Sequence, residues 1–269
     1  LNALLNPTPI FAFNPGPITG DGNWTWLLPG RIPTLIDAGT GEAAHLDGVE
    51  KALGGTQLGQ VLVTHGHVDH ASGAPALRDR FGVTRFLKLP WGDRDGKWPV
   101  DWTPVGDGDV IAAGDTDLVA IHTPGHAPDH LCFWHEASST VFCGDLAIKG
   151  TSVWIPAHLG GDLAAYLASL ERVLALNPQR LLPAHGPVID DPARVLRDYI
   201  DHRLEREEQV IAALRAGDRT AEAIVARVYR GLKDSLVPLA HESIMAHLLK
   251  LQQEGRAQMR QDAWIMIDA

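Results

Sequence analysis

Thr64-His65-Gly66-His67-Val68-Asp69-His70 puts three imidazoles and one carboxylate within six residues, directly after the apolar run Val61-Leu62-Val63. An imidazole is a borderline ligand suited to zinc, and a carboxylate is a harder one. His65 and His67, two apart at a strand end, can point to the same side. Asp69 and His70 follow as the chain turns into a helix, so one cluster can start two neighbouring metal sites. A histidine-rich surface loop would have the same local composition. Against that reading, ligand-type residues recur downstream, each at an apolar strand end. Leu118-Val119-Ala120-Ile121 precedes Thr123-Pro124-Gly125-His126, Thr140-Val141-Phe142-Cys143 precedes Gly144-Asp145, and Arg180-Leu181-Leu182 precedes Pro183-Ala184-His185-Gly186. Buried strands that deliver polar residues at their ends are how sheet enzymes build sites on rigid elements.

The rest of the chain fits an enzyme of ordinary composition. Its 269 residues suit one large domain, or a large and a small one, and 45% hydrophobic residues supply a core. No apolar run approaches the ~18 residues of a membrane span, so no membrane partner is expected. The start, Leu1-Asn2-Ala3-Leu4-Leu5, has no basic region and no long apolar stretch, so a cytoplasmic location is expected. Two cysteines, Cys132 and Cys143, are too few for a disulfide framework and read as reduced, buried residues. The net charge is −10, and residues 194–269 hold 12 basic and 12 acidic groups, so the earlier residues carry the whole excess. Such a surface repels nucleic acid at long range.

Turn residues and periodicity divide the chain further. Trp24 to Leu28 and Thr34 to Asp37 flank Pro29-Gly30-Arg31 as a hairpin. Helical periods run over 41–53 and 163–176. After Pro192 the pattern changes to a charged helix (194–216), a second helix capped by Thr220, a third over about 238–254, and two short alternating segments. Three helices and a small ribbon are the pattern of a winged helix. The expected domains are therefore 1–193, catalytic, and 194–269, winged-helix-like.

The ordered motifs around His65–His70, His126, Asp145 and His185 resemble those of metallo-beta-lactamase-fold hydrolases. The resemblance implies an α/β fold, a four-layer αββα sandwich with the site at one edge. It also implies that His65, His67 and His126 hold one metal, that Asp69, His70 and His185 hold a second, and that Asp145 bridges both. Asn14-Pro15-Gly16-Pro17, Gly22-Asn23, Asp129-His130, Pro187-Val188-Ile189, the helix Asp198 to Glu207 and the winged-helix tail are similar to the beta-lactamase-like-protein-two group. Members of that group include a mitochondrial endoribonuclease acting on single-stranded RNA. Trp24-Thr25-Trp26 departs from the group's usual Thr-Tyr pair.

Hydrolysis at neutral pH needs a hydroxide, and a metal-bound water has a pKa near ~7. The expected enzyme is a binuclear hydrolase using a metal-bridging hydroxide on an ester, thioester or lactam-type small molecule. Single-strand-specific endoribonuclease activity is the alternative. Asp69 and Asp145 are the catalytic candidates, orienting the nucleophile while remaining ligands. Two divalent ions are expected, zinc first from the imidazole-rich donors, with manganese or iron also compatible. Lys149, Trp154 and His158 are candidate substrate contacts near the site mouth, and His130 a candidate support for a ligand. Trp91, Trp98 and Trp102 are read either as pocket walls or as packing, and His45, His135 and His247 as surface or locally bonded residues. The oligomeric state is left open.

Overall fold

The computed structural model describes residues 5–16 and 19–267. Leu1 to Leu4 and Pro17 of the Asn14–Pro17 motif lie outside the described residues. In chain order the first half contains β1 (Thr8–Phe11), β2 (Trp24–Leu28), β3 (Thr34–Ile36), α1 (Ala43–Leu53), β4 (Gln60–Leu62), α2 (Val68–Ala71), α3 (Ala74–Phe81), β5 (Phe86–Lys88) and β6 (Trp102–Pro104). These six strands form one sheet in sequence order, antiparallel from β1 to β3 and parallel from β3 to β6. The second half adds β7 (Val110–Ala113), β8 (Thr116–His122), β9 (Leu131–His135), β10 (Thr140–Gly144), α4 (Leu163–Ala175) and β11 (Arg180–Pro183). Its five strands form a second sheet, with only β10 and β11 parallel.

Side chains alternate between faces along a strand, and here both faces are apolar. Trp26, Leu28, Ile36, Leu62 and Leu87 of the first sheet meet Leu118, Phe133, Phe142 and Leu182 of the second between the layers. Their neighbours Leu27, Leu35, Val61 and Phe86 turn outward onto Leu46, Val49 and Leu53 of α1 and Leu77 of α3. On the opposite outer face Cys132, Trp134, Val141 and Leu181 pack on Tyr166, Leu170 and Val173 of α4. The result is the four-layer αββα sandwich. Cys132 and Cys143 are buried and unpaired in it.

Three further helices follow: α5 (Pro192–Arg215), α6 (Ala221–Val228) and α7 (Val237–Gln253), with the ribbon β12 (Ala257–Arg260) and β13 (Ala263–Met266). The Thr220 side chain accepts from Ala223 N–H and caps α6. Helix α5 belongs to two cores. Val195, Leu196 and Tyr199 pack in the outer layer of the second sheet, whereas Val210, Ile211, Ala213 and Leu214 pack with α6, α7 and Trp264. The third helix buries Ile244, Leu248 and Leu251. Among the described residues no helix is long and apolar enough to cross a membrane.

Candidate metal centre

The carboxyl ends of β3 and β4, which run parallel, point the same way, as do those of β10 and β11. The segments leaving these ends, with the one after β8, converge at one edge of the sandwich. His65, His67 and His126 form one group of ligand atoms, and Asp69, His70 and His185 another. His65, His70 and Asp145 form a third that overlaps both. Each of the first two takes two members from the segment after β4 and one from the second sheet.

In the first group His65 Nε2 and His126 Nε2 both lie 2.9 Å from His67 Nδ1. A tetrahedral ion with ~2.0–2.1 Å bonds places its nitrogens about 3.3–3.4 Å apart, close to this spacing. His126 Nδ1 donates to Trp154 O at 2.7 Å, so the neutral ring aims a lone pair from Nε2 into the group. Burial pushes His65 well below the usual imidazole range, takes His67 down to about 3, and lowers His126. Three neutral imidazoles aiming lone pairs at one point repel one another unless a cation lies between them.

In the second group His185 Nε2 lies 3.1 Å and His70 Nε2 3.3 Å from Asp69 Oδ2. Asp145 divides its oxygens: Oδ1 faces His185 at 3.4 Å and His70 at 3.5 Å, and Oδ2 faces His126 at 3.5 Å. A carboxylate so placed can bridge two ions. Burial alone would raise Asp69 and Asp145, but His70 and His185 hold both well below the usual carboxylate range. The same carboxylates, with Asp37, overcome burial to hold His70 well above its ordinary value, and Asp145 and Asp69 raise His185. His70 Nε2 and Asp145 Oδ1 are buried without a hydrogen-bond partner. Buried polar atoms without partners are costly, and donor atoms of these types facing one another fit metal ions in place of protons.

The surrounding residues fix the ligands. Asp37 went unnoticed in the sequence. It is buried at the end of β3, with φ 64°, and its Oδ2 accepts from His70 Nδ1 at 2.8 Å. Its Oδ1 accepts the Thr64 N–H at 2.8 Å, and the Thr64 hydroxyl lies 2.9 Å away and 3.1 Å from His65 Nδ1. A carboxylate on the far nitrogen sets the tautomer and aim of a ligating imidazole. The available signal was Thr34-Leu35-Ile36-Asp37, the same apolar strand ending in an acid that marked Asp145. Asp129, of the Asp129-His130 motif, is buried, accepts Gly66 N–H at 2.8 Å and pairs with the buried Lys88 at 3.1 Å. Asn23 Nδ2 donates to Asp69 O at 3.0 Å.

His130 sits beside the ligands. Its Nε2 accepts the Asp145 N–H at 3.1 Å while Nδ1 meets the Thr123 hydroxyl at 2.8 Å. It thus holds the backbone of Asp145. Gly144 (φ 47°) makes this possible, because a Cβ there would lie 2.8 Å from His130 Nε2. Gly125 has a similar reason, since a Cβ would fall 2.3 Å from the Tyr166 backbone.

Two openings reach the centre. On the His67 and His126 side, a cavity of about 530 Å³ has Phe13, Val68, Trp154 and Leu159 in its walls, with Glu42 and Thr40. On the His185 side a wider cleft is lined by Trp24, Asp21, Thr151 and Lys149. Lys149 is exposed there. His158 lines neither; it is exposed and pairs with Glu242 of α7 at 3.0 Å. Trp91 stands 5.7 Å from the His67 ring, whereas Trp98 and Trp102 pack against the outer core of the first sheet. Trp26 Nε1 donates to Pro183 O at 3.1 Å, tying the two sheets beside His185. His135 and His247 are locally bonded as expected, to the Ser138 hydroxyl at 2.6 Å and to Ser243 O at 2.7 Å, though both are buried; His45 is neither at the surface nor locally bonded, being buried and bonded across twenty residues to Thr25 at 2.8 Å.

Comparison with known proteins agrees with this fold. Residues 18–185 match the family model described as Metallo-beta-lactamase superfamily, and residues 220–264 match the Beta-lactamase associated winged helix domain. A Beta-lactamase-like protein 2 homolog of Caenorhabditis elegans is 30% identical over 255 residues, covering 92% of this chain and 84% of the relative. An Atrochrysone carboxyl ACP thioesterase of Aspergillus chevalieri is 32% identical over 251 residues, 89% of this chain and 78% of the relative. A crystal structure of a metallo-beta-lactamase family protein from Thermus thermophilus superposes with TM-score 0.79 at 20% identity, covering 97% of this chain and 98% of that one. With its sandwich, its histidine and aspartate groups and its C-terminal winged helix, the chain belongs to the metallo-beta-lactamase superfamily and is a metal-dependent hydrolase.

Proposed function

We propose that the chain hydrolyses a small-molecule ester or thioester whose acyl part is apolar, at a centre of two divalent ions. His65, His67 and His126 would hold one ion, Asp69, His70 and His185 the other, and Asp145 both. Divalent ions there supply the water-acidifying and carbonyl-polarising Lewis acidity that neutral hydrolysis requires. Zinc is the ion proposed first, because imidazole nitrogens dominate the donor set.

The observation that carries the substrate reading is the cavity beside His67 and His126. Its walls offer Phe13, Val68 and Trp154, and Phe13 and Val68 are 51% and 59% exposed. Large apolar side chains left open to water beside a reactive centre suit an apolar group that covers them. Asp69 and Asp145 remain ionised, so each can accept a hydrogen bond from an attacking water and fix its approach. The activity printed for the Aspergillus relative, a thioesterase, supports the same bond type. A single-stranded RNA substrate would call for a cationic approach. Among the residues lining the His185-side cleft, Lys149 is the one lysine or arginine.

The test uses zinc-loaded protein and Asp145→Ala prepared identically, on acetyl and aromatic acyl thioesters, a lactam, and an unstructured labelled RNA. The aromatic thioester should be cleaved fastest. Asp145→Ala should lose more than the about 10–100-fold typical of losing a group that only supports a ligand. RNA cleavage that disappears in Asp145→Ala, with inert thioesters, would overturn the reading.

A further inference from the structure

Arg203, in the middle of α5, is 4% exposed and among the described residues forms no ion pair. Its Nε is buried without a hydrogen-bond partner. A buried guanidinium without a carboxylate carries a desolvation cost that no opposite charge offsets. What this one does is donate from Nη2 to the carbonyl of Val153, with its guanidinium 5.7 Å from the Tyr166 ring centroid. The next carbonyl, that of Trp154, is the one that receives His126 Nδ1.

The segment between Asp145 and Trp154 has little support of its own. It contains no strand and no helix. Side chains from the helices hold it instead. Tyr166 of α4 donates to Leu146 O at 2.7 Å. The Tyr199 hydroxyl of α5 accepts Ile148 N–H at 3.0 Å and has one proton to give, for which Thr151 O at 2.7 Å is the nearer acceptor. Arg203 takes the last position before Trp154. Helix α5 is fixed in turn by the winged-helix domain. The buried His247 of α7 packs on it at the Arg203 carbonyl, although its one proton has a nearer acceptor in Ser243 O at 2.7 Å than in Arg203 O at 3.1 Å. One turn along α5, Glu207 receives Lys250 at 2.6 Å and Arg256 at 2.7 Å.

We infer that Arg203 is a positioning residue for the His67–His126 ion site, through which the C-terminal domain sets the aim of His126. The guanidinium holds the Val153 peptide and therefore the orientation of the Trp154 carbonyl. That carbonyl keeps the proton on Nδ1 and turns Nε2 toward the ion. The inference rests on the metal reading above, in which His126 is a ligand. It gives the winged-helix domain a task that needs no nucleic acid.

The experiment reads the ion rather than turnover. Parent, Arg203→Met and Arg203→Lys are loaded with cobalt(II), and visible spectra and competition with a chromophoric chelator are recorded. Val210→Ala, in the C-terminal core and far along α5, serves as a control for general loosening. In Arg203→Met the affinity of one ion per chain should fall about 10–100-fold, the range for groups that orient a ligand, with shifted cobalt bands. Arg203→Lys, which keeps one donor, should recover part of both. Val210→Ala should melt earlier with parent-like bands. Unchanged spectrum and affinity in folded Arg203→Met, whatever its melting temperature, would overturn the inference. If Arg203→Met does not fold, Arg203→Lys and Tyr199→Phe decide by the same readouts. A parent that binds no ion refutes the metal reading and this inference with it, whereas a parent that binds two ions and variants that match it refute this inference alone.

Discussion

Asp37 is a buried carboxylate that lines neither opening and yet governs two candidate ligands. Its two oxygens hold His70 Nδ1 and the Thr64 backbone, and through Thr64 it reaches His65. Asp37→Asn keeps the shape and removes the charge. An amide that presents its NH2 to His70 Nδ1 favours the wrong tautomer, with the proton on the nitrogen that should face the ion. The expected result is an about 10–100-fold loss of activity and of affinity at the Asp69–His70–His185 site. Titration with a chelator and steady-state kinetics check it, and a variant within twofold of the parent in both would refute the role. The candidate ligands, which the fold brings together at one edge, were legible because they follow apolar strands, and four such endings are hard to obtain by accident. Asp37 follows the same rule but stands alone before Gly39 and Gly41, where an aspartate is equally an ordinary turn former. Lys149, Trp154 and His158 all lie shortly after Asp145, in the stretch expected at the site mouth. Trp154 lines the cavity beside His67 and His126 and Lys149 the cleft beside His185, whereas His158 lines neither; the segment after Asp145 is bent by bonds to α4 and α5 that no local pattern announces.

At the scale of elements, the helical periods over 41–53 and 163–176 located two of the covering helices, whereas strands apolar on both faces carry no period that sorts inner from outer. Histidine inside an element was harder to read. His45 lies on the inner face of α1, where it meets the Thr25 hydroxyl of β2 and is fully buried. Burial lowers its pKa from 6.5 to about 4. Between those values the unfolded chain binds a proton that the folded chain refuses. The stability tied to a neutral His45 is therefore complete above pH 6.5 and is lost as the pH falls toward about 4. The upper bound is about 3–4 kcal/mol, from ~1.4 kcal/mol for each pH unit of displacement. His45→Gln should flatten the slope of urea stability against pH in that window relative to the parent. Parallel slopes would show that His45 does not titrate there.

For the whole molecule, the change of character near Pro192 marked where a different pattern begins, but not how the parts are joined. The first half of α5 completes the layer over the second sheet and carries Tyr199 and Arg203, while its second half builds the C-terminal core. A chain ended at 193 loses Val195, Leu196 and Tyr199 from the catalytic part. A chain ended at 216 keeps them and instead bares the C-terminal apolar face of α5. The prediction is that the shorter chain fails to fold or melts well below the longer one, and that neither reaches the parent. Circular-dichroism melts of the three chains test this. Equal melting of the two truncated chains would mean that the N-terminal turns of α5 add nothing to the sandwich. The continuity of one helix through two cores is a tertiary fact, since a charged amphipathic helix reads the same whether one partner or two cover its face.

The two ligand groups each draw from both sheets: His65 and His67 with His126, and Asp69 and His70 with His185. An ion in either place would therefore act as a rivet through two plates, fastening the front half of the chain to the back half at the edge where the sandwich is open. Loss of ions would loosen that seam as well as the chemistry. Unfolding would then begin with the two sheets parting at the rivets, and a chelator would be a mechanical agent as much as an inhibitor.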